Sequence, residues 1–304
     1  MKTIGIIAEF NPFHNGHLHL IDTCKKALNA DFCIVVMSGD FVQRGTPAMV
    51  DKFTRTKMAL ECGADLVFEL PVYYSCASAE YFAQGAVALL DKLGVVDTLV
   101  FGSECGDIEK MEKVASVLVN EPPIFQEKLS SALKEGKSYA TARETALFSA
   151  LKESENEECS KEYSAIISSP NNILGIEYIK ALKKTCSNIK PFTITRTGEG
   201  YNSLTINQTA SASSIRNLVD TYGFSDDSIK KLEIAMPPKC LSLLLENQER
   251  MPSIDLFSKL LSYKLIMGKD NGYTEYLDVS DDLSNKILSN LEKYQDFTTF
   301  CHLL

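Results

Sequence analysis

Apolar and polar positions come in alternating blocks through the first hundred residues. TIGIIAEF (3–10), FCIVVMSG (32–39), DLVFELP (65–71) and DTLVFGSE (97–104) are short, near-continuously apolar runs. Between them lie GHLHLIDTCKKAL (16–28), VDKFTRTKMALECG (50–63) and SAEYFAQGAVALLDKLG (78–94), in which apolar residues return every three to four positions. The first kind of run predicts strands buried on both faces and the second predicts helices, so together they predict a covered parallel sheet. Sheets of this kind bind ligands beyond the carboxyl ends of their strands, near the point where the strand order reverses.

Residues 107–153 read as three helices and ENEECSKEY (154–162) as a charged, exposed connection. SSPNNILGIEYIKALKK (168–184) reads as a helix with Pro170 and Asn171 at its head, and IKPFTITR (189–196) as a fifth strand. TGEGYNSLTINQT (197–209) has the polar, Gly- and Asn-rich composition of a mobile loop. From SASSIRNLVD (211–220) to the end the pattern is helical and acidic. The fold class is therefore α/β: a Rossmann-like parallel-sheet domain over 1–220 and an α-helical C-terminal domain over 221–304.

Composition adds bounds rather than detail. At 304 residues, 45% hydrophobic and 23% charged, the chain can bury a core in each of two domains. No apolar run approaches the roughly 20 residues that span a bilayer. The N-terminus lacks the length and cleavage site of a signal peptide, so a cytoplasmic location is expected. Nine cysteines without a C-x-x-C pair argue against a zinc site and against a disulfide framework. A net charge of −9 disfavours broad nucleic-acid binding but allows a local basic surface.

Candidate chemistry concentrates in EFNPFHNGHLHL (9–20), which holds three of the four histidines at a strand-to-helix turn. Gly16 permits close backbone approach, and the N–H groups opening the helix suit a phosphate. His14 and His17, three positions apart, share one side of the first turn and can both reach a polyphosphate. Imidazolium groups there would stabilise the charge that builds during nucleotidyl transfer. The alternatives are a pair of capping histidines, or a zinc pair needing further ligands when only His302 remains. His19 points to another face.

Later segments fit the same chemistry. In FGSE (101–104), Gly102 would let a nucleotide lie against the backbone, while Ser103 and Glu104 could hydrogen-bond ribose or base. SASSIR (211–216) places hydroxyls at a helix start with Arg216 one turn in, a seat for phosphates.

N-P-F-H-N-G-H resembles the HIGH motif of the nucleotidylyltransferase superfamily. EFNPFHNGH, MSGDFVQRGTPAMVDKFTRTKMAL, FGSECGD, SPNNILGIEY and SASSIR, in that order over residues 7–216, resemble one family within it, the bacterial tRNA(Met) cytidine acetate ligases. The resemblance implies ATP-dependent activation of acetate to acetyl-adenylate, releasing pyrophosphate. The acetyl group then passes to N4 of the wobble cytidine of elongator tRNA(Met), giving N4-acetylcytidine and AMP. It implies catalytic roles for His14 and His17. It also implies ATP contacts along Ile7, Ala8, Glu9, Phe10, Asn11, Pro12, Phe13, His14, Asn15, Gly16, His17, Leu18, His19 and Leu20, and at Gly102, Ser103, Asn171, Arg196, Ser213 and Arg216. Magnesium would ride on the ATP phosphates, with no metal ligand supplied by the protein.

Within SGDFVQRGTPAMVDKFTRTK (38–57), Arg44, Lys52, Arg55 and Lys57 outnumber Asp40 and Asp51, and at least one of the four is expected to touch phosphate or tRNA. In that family the chain continues with a basic, aromatic-containing segment, so the resemblance implies that 221–304 is a tRNA-binding domain cut short. Two other readings stay open. A small-molecule adenylyltransferase of the coenzyme-A or NAD type shares the first motif but lacks the QRGTPA and SPNNILG segments. A non-catalytic tRNA-binding protein would have less reason to keep His14, His17 and Ser211–Arg216 together.

Overall fold

The computed structural model describes residues 1–154, 163, 166–196 and 210–304. The connection expected over 154–162 (beyond its first residue) and the loop over 197–209 lie outside the described residues. The five apolar runs form one fully parallel sheet: β1 Thr3–Ala8, β2 Phe32–Ser38, β3 Leu66–Leu70, β4 Thr98–Ser103 and β5 Lys190–Thr195, in the order β3-β2-β1-β4-β5. The order reverses between β1 and β4, which places a ligand crevice there. The β1–β4 ladder pairs only Ile4 with Thr98 and Gly5 with Leu99, so the carboxyl ends of these strands separate. The crevice opens at that parting.

The helices follow the predicted blocks. α1 Asn15–Leu28 follows β1 and α2 Lys52–Glu61 follows β2. A four-residue α3, Val72–Ser75, which the periodicity does not mark, precedes α4 Ala79–Leu93. α5 Ile108–Asn120, α6 Pro123–Lys134 and α7 Tyr139–Ser154 follow β4, and α8 Pro170–Lys184 leads into β5. The remainder is α9 Ala212–Tyr222, α10 Asp226–Ala235, α11 Pro238–Glu246, α12 Ser258–Gly268, α13 Asp281–Asn290 and α14 Phe297–Leu303. Local chemistry sets the ends: Asp51 accepts the N–H groups of Phe53 and Thr54 at the head of α2, and Gly94 closes α4 at φ 66°.

Alternation along the strands divides the interior into two layers. Ile7, Val36, Leu99 and Phe101 face α4, α5 and α8. Ile6, Val35, Met37 and Val100 face α1, α2 and α9. α10 and α11 join this second layer through Leu232, Ala235, Cys240 and Leu244. Residues of α12–α14 instead pack around a small core of their own, Leu265, Tyr273, Ile287 and Phe300. Among the described residues, no helix is long and apolar enough to cross a membrane.

Candidate active site

The chain leaving β1 is held by packing. Phe10 has a left-handed backbone (φ 47°), a conformation that disfavours a bulky side chain by about 1–3 kcal/mol. Its ring is buried and tilts against Phe13, 4.8 Å between centroids, and against His17, 4.9 Å. Burial of two such rings is worth roughly 2–3 kcal/mol each, enough to outweigh that strain. Asn11 adds polar ties: its Oδ1 accepts from Met49 N–H at 2.7 Å, and its carbonyl accepts from Arg216 Nη1 at 2.6 Å.

His14 caps α1. Its Nδ1 accepts from Gly16 N–H at 3.0 Å, and His17 Nδ1 accepts in return from His14 N–H at 3.2 Å. The two rings lie 3.8 Å apart, inclined at 34°. With both Nδ1 atoms accepting, each neutral ring carries its proton on Nε2. The capping alternative is therefore fulfilled together with a cleft position, since both rings line the crevice.

The imidazolium expectation is corrected for the ligand-free site. His14 is only 4% exposed. Its pKa is pushed down to about 3, by burial first and then by the cations Arg196 and Arg216. Burial, His14 and Arg196 hold His17 well below its usual value. Both are neutral Nε2–H donors near pH 7.

Across the crevice, Arg196 extends from the end of β5, its N–H donating to the Ser103 carbonyl at 2.9 Å. A Cβ on Gly102 would lie 2.9 Å from Arg196 Cγ, so the glycine makes room for this side chain. Arg196 Nη1 contacts Asn171 Oδ1 at 3.4 Å. Glu104 caps α8, accepting from Asn171 N–H, Asn171 Nδ2 and Asn172 N–H at 2.7–3.2 Å. Ser211 caps α9 through Ser214 N–H, and Arg216 Nη2 meets Ser213 Oγ at 3.1 Å.

These groups enclose a cleft of about 330 Å³. Ile7, Ala8, Glu9, Phe10, Asn11, His14, His17, Leu20, Gly102, Asn171, Arg196, Ser213 and Arg216 line it, as does Arg44. The remaining expected contacts do not. Ser103 is buried, its hydroxyl bonded to Thr193 and to Gly106 N–H. Glu104 is occupied as a helix cap rather than facing a ribose. Phe13 and Leu18 are packing residues, and Pro12 is buried outside the lining. Asn15 bonds the Ile234 carbonyl of α10, Gly16 gives space to the His14 ring, and His19 is exposed against Thr23.

Of the four cations, Arg55 is corrected outright. It is 0% exposed, and its guanidinium donates to the carbonyls of Val50, Glu9, Ser38 and Gly39. Lys52 pairs with Glu69 at 2.7 Å and Lys57 is exposed, both away from the cleft. The sequence reading missed Gln43, Ala79, Phe82, Phe101, Leu174 and Tyr178 in the lining. Helical spacing carries a signal for two of them: Leu174 and Tyr178 fall three and seven positions after Asn171, on the same face of α8.

The family model described as HIGH Nucleotidyl Transferase matches residues 1–304. A tRNA(Met) cytidine acetate ligase of Clostridium perfringens (strain ATCC 13124) is 43% identical over 96% of this chain and 71% of its own length. One from Thermoanaerobacter sp. (strain X514) is 44% identical over 94% of this chain and 69% of its own. The crystal structure of Thermotoga maritima TmcAL bound with alpha-thio ATP superposes with a TM-score of 0.86 at 33% identity, covering all of this chain and 70% of that one. The apo form of the same protein gives a TM-score of 0.89 at 32% identity, covering 71% of that chain.

Proposed function

The chain belongs to the tRNA(Met) cytidine acetate ligase family of HIGH nucleotidyl transferases, and we propose that its cleft carries out that family's reaction with the residues described above. It is an ATP-dependent ligase: acetate is activated as acetyl-adenylate, and the acetyl group passes to N4 of the wobble cytidine of elongator tRNA(Met). The observation that carries the assignment of residues is the convergence of two Nε2–H donors, two helix N-termini and two arginines where β1 and β4 part.

ATP lies across that parting. The N-termini of α1 and α9, with Ser213 and Arg216, take the β- and γ-phosphates. His14 and His17 donate to the oxygens on which charge accumulates as an acetate oxygen attacks the α-phosphorus and the α–β anhydride bond breaks. No proton moves in this step, so the protein's contribution is position and electrostatics. Entering phosphates also favour protonation of the histidines, which reverses part of the effect of burial.

The second step differs, because the attacking N4 amine must lose a proton. Among the described residues, Glu9 is the one carboxylate lining the cleft, and its Oε1 is oriented by Gln43 N–H at 3.0 Å. We assign it as the acceptor. Magnesium would arrive on the nucleotide's own phosphates. The tRNA is proposed to lie partly on the helical segment after residue 221, where Lys259, Tyr263, Lys264 and Lys269 are exposed on α12 and just beyond it.

Purified protein given acetate, ATP and tRNA(Met) transcript is expected to form N4-acetylcytidine, with release of AMP and pyrophosphate. Nucleoside mass spectrometry showing no acetylcytidine, with adenylylation of pantetheine phosphate or nicotinamide mononucleotide instead, would assign the cleft to a different transfer. His14→Ala and His17→Ala are expected to abolish acetyl-adenylate formation while leaving tRNA affinity nearly unchanged.

A further inference from the structure

The cleft has two chemically different lobes. One carries the imidazoles, hydroxyls and arginines. The other lies on the α4–α8 side of the sheet and is walled by Ala79, Phe82, Phe101, Leu174 and Tyr178. Its walls are fixed: Phe82 and Tyr178 are 2% and 3% exposed, and the Phe101 and Tyr178 rings meet edge to face at 5.7 Å.

Tyr178 is unusual within this wall. It is a cleft-lining residue, 3% exposed as a whole, whose hydroxyl makes no hydrogen bond to a described residue and is open to the cleft rather than sealed in the core. A hydroxyl that opens on the cleft without a protein partner is free to donate to a ligand there. Burial raises its pKa, so it stays a neutral O–H donor. Among the described residues, Arg44, Arg196 and Arg216 line the cleft against the single carboxylate Glu9, which favours an anion.

On the ligase reading above, we propose that this lobe is the acetate subsite: Phe82, Phe101 and Leu174 enclose the methyl group, and the Tyr178 hydroxyl donates to the carboxylate oxygen that does not attack phosphorus. The other acetate oxygen faces the α-phosphorus, forms the new P–O bond, and pyrophosphate leaves with the electron pair of the α–β anhydride. A nucleobase would demand several edge donors and acceptors, and among the described side chains walling the lobe there is one hydroxyl, that of Tyr178. A longer acid would meet rigid rings rather than space, so the same walls set chain-length selectivity.

The test is acetate-dependent exchange of pyrophosphate into ATP, which needs no tRNA, measured for the wild type, Tyr178→Phe and Leu174→Ala. Tyr178→Phe is expected to raise KM for acetate by about 10-fold or more, as for loss of one hydrogen bond to a charged group, with KM for ATP within about twofold. Leu174→Ala is expected to raise the propionate-to-acetate ratio of kcat/KM by about 10-fold. Leu174 is only partly buried and the Phe variant keeps the ring, so folded protein is expected from both. Unchanged acetate KM and chain-length ratio in variants of an active wild type overturn the subsite alone. So does an effect that falls on ATP, or on tRNA in the complete reaction. A wild type without any acetate-dependent exchange overturns the acetate-activating reading itself, and the subsite with it.

Discussion

Arg55 Nη1 donates to the Glu9 carbonyl across 2.7 Å, fastening α2 to the backbone that leaves β1. The same guanidinium also bonds the carbonyls of Ser38 and Gly39 at the end of β2, and that of Val50. One buried cation thus gathers the carboxyl ends of two adjacent strands at the rim of the cleft. Arg55→Ala would strip a donor from four carbonyls, and each buried acceptor left unsatisfied costs roughly 1–3 kcal/mol. Urea unfolding is expected to show a loss of about 3 kcal/mol or more. Arg55→Lys, with a point charge in place of a fork, is expected to recover only part of it. A loss below about 1 kcal/mol for the alanine variant would show that water replaces the guanidinium.

Gly16 sets stability against activity. Alanine inside a helix is favoured over glycine by up to about 1 kcal/mol. A Cβ at this position, however, would lie 2.8 Å from His14 Cε1 and 3.0 Å from its Nδ1. The ring must turn away, losing the Gly16 N–H bond that fixes its tautomer. Gly16→Ala is expected to melt within a few degrees of the wild type, while pyrophosphate exchange falls at least about 10-fold. Equal activity would mean that the ring position is not critical.

Much of the fold was legible because parallel strands and amphipathic helices write their burial into the local pattern. β1–β5 and most of the helices, α1 and α2 among them, fall where that pattern puts them. The lining of the candidate site was legible where residue type and spacing point into one turn, as at His14, His17 and Arg216. It failed where long-range partners decide. Nothing local distinguishes Arg55 from Arg44, yet one bonds four carbonyls in the core and the other lines the cleft. Ser103 and Glu104 follow the same rule: Thr193 and the head of α8, each more than sixty positions away, claim their oxygens.

The two histidines should make the ligand-free protein less stable as pH falls. Their folded pKa values lie below the ordinary value of 6.5, with His14 at about 3. Below pH 6.5 the unfolded chain therefore binds protons that the folded chain does not, and stability declines toward acid by about 1.4 kcal/mol per pH unit for each histidine. Above pH 6.5 the pair contributes no slope. His14→Asn keeps an N-cap acceptor while removing one titrating group. Urea unfolding between pH 5 and 7.5 is expected to give a shallower slope for the variant below pH 6.5 and parallel curves above it. Identical slopes would show that His14 is protonated in the folded protein.

Glu9 offers a way to separate the two half-reactions. Acetate activation releases no proton, whereas acetyl transfer to N4 must, and among the described residues Glu9 is the one carboxylate lining the cleft. Glu9→Gln keeps an oxygen to accept the Gln43 N–H but cannot take up a proton. Acetate-dependent pyrophosphate exchange is expected to stay within about threefold of the wild type. N4-acetylcytidine formation should fall by about 100-fold or more, the scale of a lost general base. Acetyl-adenylate would then accumulate on the enzyme and be trapped by hydroxylamine as acetohydroxamate. If both half-reactions fall together, Glu9 acts through the Gln43 loop as a positioning residue, and the N4 proton leaves by another route.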